Sequence, residues 1–160
     1  MEKKNPGLGR LALVATTMIW GTSFVVQKNT LDSISTLYLL SIRFTVAAVF
    51  LLLLGIKNIK QINKEYIKGG VIMGVLLSAA YIVQTYGLVY TTPGKNAFLT
   101  ASYCVITPFL FWIFKRQRPD KYNFIAAALC ILGVGLISVD SNLSINKGDA
   151  LTLMCGVFYA

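Results

Sequence analysis

The sequence contains no histidine, and none of its six carboxylates falls within a long apolar run. These carboxylates are Glu2, Asp32, Glu65, Asp120, Asp140 and Asp149, which we expect in tails and loops. A membrane-embedded hydrolase, phosphatase or metalloprotease needs a nucleophile with a base, paired acids or metal ligands at membrane depth. Proton pumps commonly use a buried Asp, Glu or His. We therefore predict that the chain is not an enzyme, and any proton coupling would need another group.

The three cysteines carry no metal-binding pattern. Cys104, Cys130 and Cys155 all fall in apolar segments and lack the close spacings that metal sites use. We interpret them as small buried hydrophobic residues. The sequence therefore predicts neither a metal site nor a cofactor.

The sequence is rich in apolar residues, which make up 56% of the chain and give it a mean hydropathy of +0.66. A helix crossing the hydrocarbon core of a bilayer needs about 20 residues. Five apolar stretches approach that length: Leu11–Val26, Thr36–Leu54, Gly69–Leu88, Asn96–Phe114 and Asn123–Val139. We therefore predict an all-α, polytopic transmembrane helix bundle that has the lipid bilayer as a partner.

Basic residues alternate between the segments that join these stretches. Eleven lie on one side, namely Lys3, Lys4, Arg10, Lys57, Lys60, Lys64, Lys68, Lys115, Arg116, Arg118 and Lys121. Only Lys28, Lys95 and Lys147 lie on the other side. Because short basic loops tend to stay in the cytoplasm, this predicts a multi-pass protein of the cytoplasmic membrane with a cytoplasmic N-terminus. The net charge of +9 is then a topology signal, and no nucleic-acid partner is expected.

The end of the chain resembles its beginning. The segment GDALTLMCGVFYA (148–160) aligns with GRLALVATTMIWG (9–21), with small and aromatic positions in step. Five spans reverse the direction of the chain, so a second copy starting at residue 148 would be inverted, as in many transporters. We predict a first repeat of five transmembrane helices over residues 1–140. Residues 141–160 are then an outer loop and the truncated start of a second repeat, a sixth span cut short.

Polar side chains recur at helical spacing within three predicted spans. Because lipid cannot hydrogen-bond them, such stripes are expected to face protein or water. We predict a substrate cavity walled by the first, third and fourth spans. Its candidate residues are Trp20, Ser23, Tyr81, Gln84, Asn96, Thr100, Tyr103 and Thr107. The alternative is that these side chains only bond their own helices or hold neighbouring helices together.

Small residues and prolines suggest how the helices pack. Gly70 and Gly74 form a small-residue face that would let another helix approach closely. The pair Pro93–Gly94 predicts a turn that joins the third and fourth spans as an antiparallel hairpin. Pro108 lies inside the fourth span and is expected to kink it.

Arg43 is the one charged residue inside a predicted span, roughly 10 Å from its outer end. Such a position is costly for an unpaired cation. Arg43 would either attract an anionic substrate, or bind helix-end carbonyls and extend towards the interface. The sequence alone leaves both roles open, and we favoured the structural one.

With these residues identified, the chain resembles the EamA-type transporters of the drug/metabolite transporter superfamily. The clearest match is TTPGKNAFLTASYCVITP (91–108). Supporting matches are Trp20 to Phe24 in the first span, Arg43-Phe44 with Ala47 in the second, and Leu132 to Ser138 in the fifth. The small multidrug-resistance relatives carry a carboxylate in their first helix, where this chain has none, so their mechanism is set aside.

The resemblance implies one half of a ten-helix protein built from two inverted repeats. Such proteins move small metabolites through a central cavity by alternating access. The missing partner would be a second five-helix repeat, in the full-length chain or in a partner chain, and the ligand would be an unidentified small-molecule substrate. The competing interpretation is a non-transporting membrane scaffold or an inactive fragment of a transporter.

Overall fold

The computed structural model describes residues 6–56, 62–138 and 146–160, and these residues form helices without any strand. The helices are α1 (Pro6–Leu31), α2 (Thr36–Gly55), α3 (Lys64–Tyr90), α4 (Pro93–Ala101), α5 (Tyr103–Lys115), α6 (Lys121–Ser138) and α7 (Lys147–Tyr159). The all-α prediction is therefore confirmed. Parts of some predictions lie outside the described residues: Lys3, Lys4, Lys57, Lys60, Val139, Asp140 and the outer loop over 141–145.

Within the described ranges, four segments are long and apolar enough to cross a membrane, with α4 and α5 counted as one. They are Gly9–Leu31, Thr36–Gly55, Lys64–Tyr90 and Pro93–Lys115. Helix α6 is a shorter apolar helix, so the described residues supply four candidate spans where the sequence predicted five. Most large apolar side chains of α1, α2 and α6 are exposed, among them Leu13, Leu52 and Leu136. The bilayer would cover these surfaces in a multi-pass membrane protein.

Polar caps mark where several helices begin. The side chains of Ser35, Asn63, Thr92 and Asn146 each accept a hydrogen bond from a backbone N–H of the following first turn. Such caps satisfy amides that have no partner within the helix. Pro93 at the first position of α4 lacks an amide hydrogen, which is no loss there. The connection between α3 and α4 is tight but lies at Thr91 and Thr92, so Pro93 and Gly94 begin α4 instead of forming the predicted turn.

The fourth predicted span is interrupted, and the break lies at Ser102 instead of Pro108. Helix α5 continues through Pro108. At Ser102 the backbone N–H bonds the carbonyl of Leu99, three residues back, so the helix tightens locally. The missing amide of Pro108 removes the bond to the carbonyl of Cys104, close to the break. The kink expected at Pro108 is therefore not where the helix divides.

Helix α7 packs into the bundle, mainly against α3 and next against α4. Asn146 at its start contacts Tyr90 at the end of α3, and Tyr159 at its end contacts Gln84. Helix α7 therefore runs antiparallel to α3. The side chains with almost no exposed surface gather here and include Ala80, Leu88, Leu99 and Cys155.

The glycines that allow close helix packing among the described residues are not those predicted from the sequence. A Cβ atom added at Gly70 or Gly74 would meet nothing within 4 Å. Helix α7 ends beside Gln84 and Tyr81, so it does not reach this part of α3. Within the described residues, close approach to another helix occurs instead at Gly87, Gly148 and Gly156, and to the Phe98 side chain at Gly133. Among the described residues no other helix uses the space beside Gly70 and Gly74, so their packing role stays a prediction.

Candidate functional site

The interface of α7 with α3 and α4, which we call the seam, is packed through small residues. A Cβ at Gly148 would lie 2.6 Å from the carbonyl oxygen of Gly87 and 2.9 Å from Tyr90. A Cβ at Gly87 would lie 2.6 Å from the Thr152 hydroxyl, and one at Gly156 would lie 2.9 Å from the Ser102 hydroxyl. No larger side chain fits at these points without movement of the helices.

Hydrogen bonds between side chains cross the seam. The Asn96 amide donates to the Thr152 hydroxyl at 2.8 Å and to the Gln84 carbonyl at 3.2 Å. The Gln84 side-chain amide donates to the Thr100 hydroxyl at 2.9 Å, and that hydroxyl lies 3.8 Å from the Cys155 sulfur. All five side chains are buried, so these bonds hold α3, α4 and α7 together in place of water.

The prediction that every carboxylate lies in a tail or loop is wrong for Glu65, in the first turn of α3, and for Asp149. Asp149 stands in the first turn of α7 and is fully buried. One of its oxygens accepts a 2.6 Å hydrogen bond from the Thr91 hydroxyl, and the other has no hydrogen-bond partner among the described residues. The sequence did not indicate that Asp149 is buried in a helix, because the apolar run after it is only half the length of a membrane span. The α7 N-terminus also favours a negative charge at this position.

Two polar side chains cap the end of α3. Lys28 donates from its ammonium to the carbonyls of Leu88 and Val89, each at 2.8 Å. Asn146 donates to the Tyr90 carbonyl at 2.6 Å. The last carbonyls of a helix have no partner within the helix and attract cations. Lys28 therefore has a structural role that joins α1 to α3.

Arg43 lies apart from the seam, among side chains of α1 and α3. Its guanidinium donates to the side-chain oxygen of Gln27 and lies 5.2 Å from the centre of the Tyr81 ring. Gln27 in turn donates to the carbonyl of Ser23 at 3.1 Å. Arg43 is partly buried. We call Ser23, Gln27, Arg43 and Tyr81 the arginine cluster.

Aromatic rings connect the arginine cluster to the end of the seam. The Tyr81 ring packs edge-on against Phe44 at 5.5 Å and against Tyr159 at 5.7 Å, between centroids. Tyr159 lies 5.9 Å from Tyr103 and donates from its hydroxyl to the Gln84 side-chain oxygen at 3.2 Å. Edge-on aromatic pairs of this kind are favourable. Polar and aromatic groups from α1, α2, α3, α5 and α7 therefore meet within the bundle.

Two cavities open on opposite sides of α1. One, of about 330 Å³, lies between α1 and α2 and is lined by Ile19, Thr22, Ser23, Val26, Gln27, Thr30, Leu39 and Arg43. The other, of about 150 Å³, lies between α1 and the break of the fourth span. Its lining includes Trp20, Phe24, Thr100 and Tyr103. Only the larger one contains a charged group.

The structure divides the predicted cavity residues among several places. Trp20, Thr100 and Tyr103 line the smaller cavity, and Ser23 lines the larger one. Asn96 has no exposed surface and Gln84 very little, and both bond across the seam. Tyr81 lies against Arg43.

Thr107 lines neither of these two cavities and takes no part in the seam. It is exposed, and its hydroxyl donates to the Tyr103 carbonyl one turn back in the same helix. The four polar candidates of the fourth span, Asn96, Thr100, Tyr103 and Thr107, therefore do not line one continuous surface among the described residues.

Three contributors were missing from the predicted site. Gln27 lies one helical turn after Ser23, and its amide was the signal that could have suggested a contact with Arg43. Thr152 and Tyr159 lie in the last thirteen residues, where no complete span indicated a buried face. Within the described ranges no three His, Cys, Asp or Glu side chains group as metal ligands would.

The comparison with known proteins agrees with this architecture. Residues 7–139 match the EamA-like transporter family, which covers most of the chain and every helix from α1 to α6. The chain belongs to the EamA-like transporter family. This confirms the resemblance noted from the sequence and, with the apolar helices, makes the chain part of a multi-pass membrane transporter family.

Curated relatives of this EamA-like chain are named as transporters without a stated substrate. An uncharacterized transporter of Archaeoglobus fulgidus is 34% identical over 149 residues, which cover 93% of this chain and 45% of the relative. The uncharacterized transporter YrdR of Bacillus subtilis is 25% identical, covering 99% of this chain and 52% of the relative. The chain thus spans about half the length of these relatives. No solved structure gives a significant match.

Proposed function

We propose that the chain forms one half of a transporter that moves small metabolites across the cytoplasmic membrane by alternating access. The observation that carries the proposal is the arginine cluster. The cluster places the Arg43 guanidinium of α2, the Gln27 amide of α1 and the Tyr81 phenol of α3 next to a cavity of about 330 Å³. These helices are mostly apolar. Polar groups in spans commonly mark a substrate pathway. Membership of a transporter family supports this interpretation.

The proposal includes a second five-helix repeat, in the full-length chain or in a partner chain. Residues 1–140 would be the first repeat, with α6 as its fifth span and the N-terminus in the cytoplasm. Residues 141–160 would begin the second repeat, so the seam would be the first contact between the two halves. The relatives' length, about twice that of this chain, supports such a partner.

Catalysis and a bound cofactor have no part in this proposal. The relatives are named transporters. The buried carboxylate Asp149 accepts a hydrogen bond from Thr91, and the sequence contains no histidine that could act as its base. The chemistry at the arginine cluster is hydrogen bonding and charge attraction, which suits binding and release of a ligand.

Transport can be tested with the protein encoded by the full reading frame in proteoliposomes. The vesicles are preloaded with a mixture of amino acids, organic acids, nucleosides and sugars, and the retained compounds are measured by mass spectrometry. We expect selective loss of a few compounds relative to vesicles that contain an unrelated membrane protein. Equal retention of every compound would contradict the transporter and favour a scaffold or an inactive fragment.

Alternating access predicts that one position can be reached from both sides of the membrane. Ser23 is half-buried and lines the larger cavity. We expect Ser23→Cys, with Cys104, Cys130 and Cys155 replaced, to react with an impermeant thiol reagent in right-side-out and in inverted vesicles. Asp32→Cys, in the α1–α2 turn, is the control that should react from the outside alone. Labelling of Ser23→Cys from one side only would contradict alternating access.

A further inference from the structure

Arg43 is a cation inside an apolar helix that has no acidic partner among the described residues. Among the described residues, its guanidinium donates one hydrogen bond to the neutral side chain of Gln27 and lies over the face of the Tyr81 ring. A guanidinium carries five N–H donors in a planar fork. Most of that donor capacity is therefore directed neither to a carboxylate nor to a backbone carbonyl of the described chain.

Lys28 shows what a structural cation looks like in the same molecule. Its ammonium bonds two helix-end carbonyls of α3 at 2.8 Å each. That is the arrangement the sequence favoured for Arg43, and here it belongs to Lys28. Arg43 instead is held from the side, because Gln27 orients one nitrogen and Tyr81 packs against the group. A cation held in this way can bind an added anion without losing a structural bond.

The cavity beside Arg43 fits a small acid. Its volume of about 330 Å³ is at the lower end of ligand pockets, the size class of a single small metabolite. Ile19, Val26 and Leu39 supply apolar walls. Thr22, Ser23 and Thr30 add hydroxyls that donate to carbonyls of their own helix and keep lone pairs for a ligand.

We propose that Arg43 binds the carboxylate of a small, monoanionic organic acid in the cavity between α1 and α2, with Gln27 and Tyr81 holding the guanidinium in place. A carboxylate matches the guanidinium fork with two parallel hydrogen bonds. A phosphate dianion would be served better by a second cation, and the nearest candidate on α1, Lys28, is engaged with α3. The inference rests on the proposed function only in calling this acid the transported substrate.

Chemical protection of the wild-type protein tests the site without a variant that has to fold. Phenylglyoxal modifies arginine, and mass spectrometry measures its rate at Arg43 and at Arg118 in the same purified, full-length protein. Arg118 is exposed in the α5–α6 loop and serves as the internal control. The probes are sodium benzoate, phenyl phosphate, benzamide and sodium chloride at equal concentration.

At about ten times its dissociation constant, we expect benzoate to slow modification of Arg43 about tenfold, because the bound carboxylate occupies the guanidinium, and to leave Arg118 unchanged. Stronger protection by phenyl phosphate would overturn the carboxylate assignment. Equal rates with benzoate, benzamide and chloride would overturn the anion site. An Arg43 that never reacts would overturn it too, because the guanidinium would then be closed to solutes.

Two variants sharpen the result. Arg43→Lys keeps the charge and loses the fork, so benzoate affinity measured by calorimetry should fall about tenfold in folded protein. Arg118→Gln should bind benzoate like the wild type. Unchanged affinity in folded Arg43→Lys would contradict the role of the fork.

Measuring both benzoate binding and transport distinguishes a failure of this inference from a failure of the proposed function. Protection of Arg43 by benzoate in protein that transports nothing in proteoliposomes would support the anion site and contradict the transporter. Transport of uncharged compounds without any protection of Arg43 would support the transporter and contradict the anion site.

Discussion

The seam and the arginine cluster both contain polar side chains within apolar helices, yet they differ in almost every physical respect. In the seam, Asn96, Thr152 and Asp149 have no exposed surface, and glycines bring the helix backbones together. In the arginine cluster, Arg43 and Ser23 reach a cavity and no glycine contact closes the space. Polarity alone therefore does not identify a transport path. The distinguishing property is whether a neighbouring helix already uses the hydrogen-bonding groups.

The largest expected effect is on the close contacts of the seam. We expect Gly148→Ala to lower the free energy of unfolding by about 3 kcal/mol, because its Cβ would overlap the backbone at Gly87 and Tyr90. Thermal unfolding in detergent, followed by size-exclusion chromatography, measures this. Gly74→Ala is the matched control and should be neutral or slightly stabilising, since open space surrounds it. Equal losses in the two variants would mean that the seam is not closely packed.

A smaller effect is expected from the hydrogen bonds of the seam. Thr152→Val removes the hydroxyl that accepts from Asn96 and should cost about 1 kcal/mol of unfolding free energy. Thr107→Val is the control, because that hydroxyl bonds only its own helix at an exposed position. We expect the control to change stability by less than about 0.5 kcal/mol. A control as damaging as Thr152→Val would remove the distinction between buried and exposed hydroxyls.

The smallest change in stability is expected in the arginine cluster. Gln27→Leu removes a bond to Arg43, but the guanidinium can still reach water in the cavity. Gln27 is itself buried, so we expect the free energy of unfolding to fall by up to about 1 kcal/mol, the net worth of one hydrogen bond. Phenylglyoxal should modify Arg43 faster in this variant than in the wild type, as the group is no longer held. A loss of unfolding free energy as large as that of Gly148→Ala would mean that Gln27 and Arg43 mainly hold the helices together.

The sequence predicted where the helices lie but not where they end. The apolar stretch Leu11–Val26 became a helix over Pro6–Leu31, because a helix continues through polar residues such as Lys28 while its backbone bonds remain available. Hydropathy marks the part of a helix that suits hydrocarbon, whereas caps such as Thr92 mark its ends. The break at Ser102 depends on local hydrogen bonding that no hydropathy pattern records.

The candidate site was predicted only in part. Helical periodicity correctly grouped Asn96 and Thr100 on one face, but periodicity cannot tell what covers that face. The covering element is α7, whose thirteen residues are too few to be recognised as a span. Its Thr152 and Cys155 contact the stripe at Asn96 and Thr100. Pairings between distant segments, such as Gln27 with Arg43, require the folded arrangement.

The central claim is that the seam is closed and the arginine cluster is open, and thiol reactivity tests this most directly. In protein lacking the three native cysteines, Ser23→Cys and Thr152→Cys are compared with a small water-soluble thiol reagent, with folding checked by size-exclusion chromatography. We expect Ser23→Cys to react at least about tenfold faster, because Thr152 becomes accessible only when α7 separates locally from α3 and α4. Equal rates, or faster reaction at Thr152→Cys, would contradict the division between the two regions.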